Sequence, residues 1–268
     1  MNVDTVTKED ISVYRLNPVS LPTHPMTNSR FSIVIPAKDE AESLGDLLKE
    51  ISAALGGDSF EVIVVDDGSM DGTADVLQRL AEVHPFLRCL VHAQCCGKSA
   101  AILTGVRAAR APLIATLDGD GQNDPCYLPA LLALMAEPGV GLAAGQRIKH
   151  AHPQAKRIGS RFANRLRARL LHDNTRDTAC GLKAFRRDVF LRLPYFDTMH
   201  RFLPALVQRD GLAVRHLDVV DRDRLHGRSK YGVIDRAIVG LFDLVGVHWL
   251  IKRRRRVPQT TEVFSNSD

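Results

Sequence analysis

Residues 60–73 read Phe60-Glu61-Val62-Ile63-Val64-Val65-Asp66-Asp67-Gly68-Ser69-Met70-Asp71-Gly72-Thr73. A run dominated by β-branched residues passes straight into two adjacent carboxylates and a glycine turn. A nearly continuous apolar strand is buried on both faces, as in a parallel sheet covered by helices. A turn followed by a helix start accounts for Ser69, Asp71, Gly72 and Thr73. It leaves unexplained why Asp66 and Asp67 stand directly at the end of an apolar strand.

Outward from this stretch, strand and helix signals alternate. Phe31 to Ile35 is a short β-rich run that ends at Pro36. Residues 41–55 carry Leu44, Leu47, Leu48, Ile51 and Leu55 at helical spacing and close on Gly56-Gly57. Residues 71–84 are expected to be helical, 87–92 a third strand, 98–110 a helix, and 113–117 a fourth strand ending at Asp118. The pattern predicts an α/β protein with a mostly parallel sheet flanked by helices. In such folds ligands bind beyond the carboxyl ends of the strands, where Asp66, Asp67, Asp118 and Asp120 all fall. Further on, the expectations are a strand over 140–148, a helix over 154–171, and a strand or loop over 178–186. A helix over 199–211, a strand over 213–220 and a helix over 233–252 follow.

The 268 residues, 45% hydrophobic and 25% charged, suit one folded α/β domain. Five cysteines form no CxxC pair, and their spacing suggests neither a disulfide framework nor a zinc site, so reduced thiols in a cytosolic compartment are expected. The net charge of +5 is carried by the run Lys252, Arg253, Arg254, Arg255 and Arg256; without those five, 31 basic residues face 31 acidic ones. Residues 1–29 are polar and read as a flexible extension without a signal peptide. The most apolar stretch, Ala237 to Ile251, contains Asp243 and His248 and is too short to span a bilayer.

Asp118-Gly119-Asp120-Gly121-Gln122 is the chemical centre. Two carboxylates one residue apart at a strand end can share one hard cation, Mg²⁺ or Mn²⁺, with positions left for diphosphate oxygens. Gly97-Lys98-Ser99 invites a phosphate-loop reading, but the glycine needed five residues earlier is His92, and that reading fails.

Taken together, Pro36-Ala37-Lys38-Asp39-Glu40, Val65 to Thr73, Gly97-Lys98 and the Asp118/Asp120/Gln122 triplet resemble family 2 glycosyltransferases of the GT-A fold. Within that family the likeness is to the polyprenyl-phosphate sugar synthases. It covers roughly residues 31–250, with Asp39 where the family has Asn and Cys95-Cys96 where an Asn-containing pattern is usual. The resemblance implies that Pro36, Ala37, Glu40 and Asp67 line a nucleotide pocket, with Asp66 and Lys98 beside them. It also implies that Asp118, Asp120 and Gln122 are metal or diphosphate ligands. Asp177 to Lys183 looks like the family's segment near the acceptor. Arg224-Leu225-His226-Gly227-Arg228-Ser229-Lys230-Tyr231 looks like its loop that closes over the donor and acceptor phosphates.

The expected reaction is an inverting transfer from a UDP- or GDP-linked sugar to a polyprenyl phosphate. That acceptor is already ionised and needs no strong base. Arg147, Arg224, Ser229 and Lys230 would hold it, with Asp177 as the candidate base or sugar-orienting carboxylate. A saccharide or other hydroxyl acceptor, which needs a base, is the alternative; a non-catalytic nucleotide-sugar-binding partner of a membrane protein is another. Arg157, Arg161, Arg165 and Arg169 recur every fourth residue beside Ile158, Phe162, Leu166 and Leu170. With Phe242, Trp249 and the polybasic run, they point to the cytoplasmic membrane surface, peripherally bound, with an integral-membrane partner. The neutral body and the lack of a nucleic-acid motif argue against nucleic acid. The expected division is a flexible 1–29, a catalytic domain over 30–232, an amphipathic interface segment over 233–256, and a flexible tail over 257–268.

Overall fold

The computed structural model describes residues 29–149, 167–222 and 233–254. Strands β1 (Phe31–Ala37), β2 (Phe60–Asp66), β3 (Leu87–Val91) and β4 (Leu113–Thr116) alternate with helices α1 (Leu44–Leu55), α2 (Thr73–Val83) and α3 (Lys98–Ala108). Then come α4 (Leu128–Leu134), β5 (Val140–Lys149), β6 (Lys183–Arg186), α5 (Arg187–Arg192), α6 (Leu203–Arg209), β7 (Ala213–Val220) and α7 (Val233–Lys252). Residues 167–171 are also helical.

The strands form one sheet in the order β3-β2-β1-β4-β6-β5-β7. All neighbouring pairs are parallel except those made by β6, which runs antiparallel to β4 and β5. Period-two alternation divides the side chains between two cores. Ile33, Ile35, Val62 and Val64 face α1, which buries Leu44, Leu47, Leu48, Ile51 and Leu55 against them. Val34, Ile63 and Val65 face α3, which buries Ala101, Ile102 and Val106. Each fully buried aliphatic side chain contributes about 1.5–3 kcal/mol relative to exposure. One buried carboxylate interrupts the apolar reading of β2. Glu61 is 4% exposed and is satisfied by the Ser32 hydroxyl, the Arg110 N–H and the Arg88 guanidinium.

Consecutive strands run one way from β1 to β3 and the other way from β1 to β4. The topological switch point, where α/β sheets bind ligands, therefore lies between β1 and β4. The register pairs Ala37 with Asp66 on one side of β1 and Val34 with Thr116 on the other. The loops that follow β1, β2 and β4 consequently leave the same edge of the sheet.

α7 packs through Leu244 and Val247, with Ile251 partly buried beside them. Its other side leaves Leu241, Phe242, Val245 and Trp249 exposed at 57%, 75%, 63% and 58%. No described helix is long and apolar enough to cross a membrane.

Candidate active site

The first two loops are zipped together by side chains of the second. The Asp39 N–H donates to Ser69 Oγ at 2.8 Å and the Glu40 N–H to Thr73 Oγ1 at 3.0 Å. The Ala41 N–H donates to Asp71 Oδ2 at 3.2 Å, and the Met70 N–H returns a bond to Asp39 Oδ1 at 2.7 Å. Asp39 holds a left-handed backbone with φ 51°, a conformation that Asn and Asp adopt more readily than other side chains. Either residue can serve there, which gives the Asp-for-Asn departure a physical basis. Pro36 and Ala37 lie against Gly119 of the third loop, and Ser43 Oγ donates to the Gly119 carbonyl at 2.6 Å.

Asp66 and Asp67 are both buried, but they do different things. Asp66 accepts the Ser69 N–H at 2.9 Å and closes its own turn. Asp67 accepts the N–H groups of Cys96 and Gly97, each at 2.8 Å, together with His92 Nδ1 at 2.7 Å and Cys95 Sγ at 3.3 Å. Burial pushes its carboxyl upward, and these donors more than reverse that, holding it below its usual value. Asp67 thus fixes the loop that delivers Lys98 to the start of α3. Gly68 lets that loop approach: it has φ 69°, and a Cβ there would fall 2.8 Å from the Cys95 nitrogen.

Lys98 Nζ is paired with Asp118 Oδ1. Asp118 keeps 29% of its side chain exposed. Burial raises its pKa, and Lys98 first, then Lys183 and Arg147, bring it below the ordinary value. Lys183 is almost completely buried, donates to the Thr178 and Cys180 carbonyls, and is pulled down by burial to about 8. A side chain at Gly181 would occupy the place of the Asp118 carboxylate. The Asp118 N–H donates to Asn123 Oδ1 at 3.1 Å, and Asn123 Nδ2 donates to Asp221 Oδ1 at 3.2 Å. Asp120 accepts the Gln122 N–H at 3.2 Å, while the Gln122 side chain donates to the Arg222 carbonyl at 3.5 Å.

Arg147 closes the arrangement. Its Nε and Nη2 bind the two oxygens of Asp177 at 2.5 and 3.0 Å, and its Nη1 reaches Asp221 Oδ2 at 3.1 Å. Asp177 also accepts the Ala179 N–H at 3.0 Å. Burial opposes ionisation of Asp177, yet Arg147 and the backbone donors hold it below the usual carboxylate range. Asp221 goes the other way, because burial outweighs its cationic partner.

One hydrogen-bonded path therefore joins Lys98, Asp118, Asn123, Asp221, Arg147 and Asp177, with Pro36, Ala37 and Glu40 reached across Gly119 and Ser43. Arg224, Ser229 and Lys230 lie outside the described residues, as do Arg157, Arg161, Arg165 and the extension before Ser29. Sequence reasoning passed over Asn123, Lys183, Asp221 and His200. Asn123 stood two residues past the carboxylate pair, and Lys183 closed a segment already singled out. His200, half-buried and bonded through Nδ1 to Ser99 Oγ at 2.8 Å, carried no local signal. Its pKa is driven far down by burial and then by Lys98 and Lys183.

Hard oxygen ligands at Asp118 and Asp120 suit Mg²⁺ or Mn²⁺, and a diphosphate would complete such a set. A mostly parallel sheet with carboxylates and cations beyond the strand ends at its switch point is the arrangement of the GT-A fold. Residues 32–193 match the family model of Glycosyl transferase family 2. The chain is 30% identical over 247 residues to a dodecaprenyl-phosphate galacturonate synthase of Rhizobium johnstonii, covering 90% of this chain and 73% of that protein. It is 33% identical over 218 residues to an undecaprenyl-phosphate 4-deoxy-4-formamido-L-arabinose transferase of Pseudomonas savastanoi pv. phaseolicola. That match covers 80% of this chain and 64% of the relative, so this chain spans a little under two thirds of its length. Among solved structures, glucosyl-3-phosphoglycerate synthase from Mycobacterium tuberculosis in complex with Mn²⁺, UDP-glucose and phosphoglyceric acid superposes with a TM-score of 0.64. The two share 19% identity over 83% of this chain and 79% of that one, which is a likeness of fold. The chain belongs to glycosyl transferase family 2.

Proposed function

We propose that this protein moves a sugar, with inversion, from a UDP- or GDP-linked donor to the phosphate of a polyprenyl lipid, working peripherally at the cytoplasmic face of the membrane. The observation that carries this reading is the Arg147–Asp177 fork. Asp177 is the carboxylate that a hydroxyl acceptor would need as a base, but both its oxygens are committed to Arg147 and its proton affinity is depressed. An acceptor that arrives ionised avoids the need for a base. The similar proteins named for dodecaprenyl- and undecaprenyl-phosphate reactions support the same choice of acceptor.

Asp118 and Asp120, with Gln122 beside them, would hold Mg²⁺ or Mn²⁺. The bound cation would offset charge on the leaving nucleoside diphosphate. Lys98 would exchange Asp118 for a diphosphate oxygen. Lys183, from below, keeps the surroundings of Asp118 positive. Asp67 holds the loop before Lys98 against the nucleotide end, and Pro36, Ala37 and Glu40 line the facing wall. Asp177 acts as a positioning residue: it fixes Arg147 for the acceptor phosphate, whose remaining charge falls to Arg224, Ser229 and Lys230. The interface segment over 233–256 would hold the enzyme at the lipid surface.

The test is transfer of label from UDP- and GDP-sugars to a short polyprenyl phosphate, with Mg²⁺, Mn²⁺ or EDTA. Label is expected in the organic phase, lost with EDTA and reduced about a hundredfold or more in Asp118→Ala, since metal-centred charge stabilisation is worth several kcal/mol. A folded protein that labels no lipid from any donor would move the assignment to a saccharide acceptor or to a non-catalytic binding partner.

A further inference from the structure

We infer that the loop after β3 carries a second cation site, for a soft divalent ion such as Zn²⁺ or Cd²⁺, built from Asp67, His92 and Cys96 with Cys95 in reserve. Ligand atoms of Asp67, His92 and Cys96 all lie within 4.8 Å of one another. The four ligand atoms of a tetrahedral zinc stand roughly 3–4 Å apart, so the exposed Cys96 side chain, which now donates to the Gln94 carbonyl at 3.3 Å, would have to rotate to bring this set to coordinating distance. Cys95 Sγ stands beside the set, 3.3 Å from Asp67 Oδ2. Among the described residues this is the one place where three such His, Cys or carboxylate groups converge.

The chemistry of the set separates it from the Asp118/Asp120 pair. Carboxylates alone favour Mg²⁺ or Mn²⁺, whereas imidazole with thiolate favours zinc and its softer relatives. A metal-binding histidine also needs a partner for its other nitrogen, to fix its tautomer and orientation. His92 has one: Nε2 lies 2.9 Å from Thr104 Oγ1, and its backbone N–H is anchored on the Asp66 carbonyl at 2.8 Å. In the bound form His92 would carry its proton on Nε2, with Thr104 Oγ1 accepting it, and present Nδ1 to the ion. Each thiol that binds releases its proton to solvent, and no electron changes hands. The backbone N–H groups of Cys96 and Gly97 already hold the carboxylate in place.

The consequence for turnover rests on the reading of Asp67 as nucleotide-facing. An ion on Asp67 and Cys96 would stiffen the loop that delivers Lys98 and compete with the donor, making the site inhibitory. The site itself can be tested without substrate. Cd²⁺ added to the full chain, reduced and free of other metal, is expected to produce a thiolate-to-cadmium ultraviolet absorption that saturates at one ion per chain. Cys96→Ser, an exposed change that leaves the core intact, should abolish or strongly weaken it. Thr104→Val should weaken binding ~10- to 100-fold, as loss of a histidine's second partner does. Cys126→Ser and Asp120→Asn should leave it unchanged. No absorption at stoichiometric Cd²⁺, or a signal that survives Cys96→Ser and disappears with Cys126→Ser, would overturn the site, whatever the transfer assay gives.

Discussion

At the scale of two side chains, the proposed reaction would turn on the Lys98–Asp118 pair. A cation approaching Asp118 meets a carboxylate already neutralised by Lys98 and surrounded by Lys183 and Arg147. On the proposed reading, a metal at Asp118 would have to displace that ammonium, which a bound diphosphate could receive. Replacing Lys98 with Gln should raise Mn²⁺ affinity of the nucleotide-free protein by ~10-fold, since a like charge near the ion is worth on the order of 1–4 kcal/mol. The same change should slow transfer. Paramagnetic resonance titration of free Mn²⁺ measures the first effect, and an affinity that is unchanged or weaker would show that Lys98 does not occupy the ion's place. At this scale the carboxylates and Lys98 were legible, because they sit at the ends of apolar strands. Asn123 and Asp221 were not, because their importance lies in bonds that span 98 residues of sequence.

Elements with a full period were legible, and two short helices were not. The helical spacing of Leu44 to Leu55 read correctly from sequence, as did the long final helix. α4 and α5, of seven and six residues, went unread because two turns or fewer carry too little periodicity. β6 was left open between strand and loop, since its four residues are fixed by pairing with β4 and β5 rather than by their own pattern. The two sides of α7 differ in consequence. Leu244 and Val247 bind it to the body, and Phe242, Val245 and Trp249 stand in solvent next to Lys252 and Arg253. Trp249 is the single tryptophan in the chain, so its emission reports directly on this face. Vesicles containing anionic lipid should shift that emission to the blue, less so at high salt, because surface attraction is screened. Phe242→Ser should weaken partitioning by ~10-fold or more, the value of one large apolar side chain. An unshifted emission with anionic vesicles at low salt would assign the face to a protein partner instead.

Across the whole molecule, buried carboxylates bond parts of the chain at both ends of the sheet. Glu61, Asp67 and Asp177 are each opposed by burial and each brought below their ordinary pKa by donors from distant parts of the chain. A group whose folded pKa is depressed contributes stability that is present above its unfolded value, about 4, and lost as pH falls through the folded value. Asp221, whose folded pKa is raised, contributes in the opposite sense, but alone against several among the described carboxylates. Urea unfolding should therefore show falling stability as pH drops from about 5 to about 3. Stability that holds level or rises over that range would contradict the inward bonding of these carboxylates.

The sequence by itself determined the α/β class, the mostly parallel sheet, the carboxylates at its edge and the family. These depend on local periodicity and on short motifs, and both survive in a one-dimensional string. Tertiary structure alone decided what those carboxylates do. Asp67 read like Asp118 as an acid at a strand end, and Asp177 as a candidate base, yet the fold closes donors around Asp67 and Asp177 and leaves Asp118 partly open beside Lys98. The physical reason is that the ionisation and availability of a carboxylate are set by its neighbours in space, and those neighbours come from strands and loops far apart along the chain.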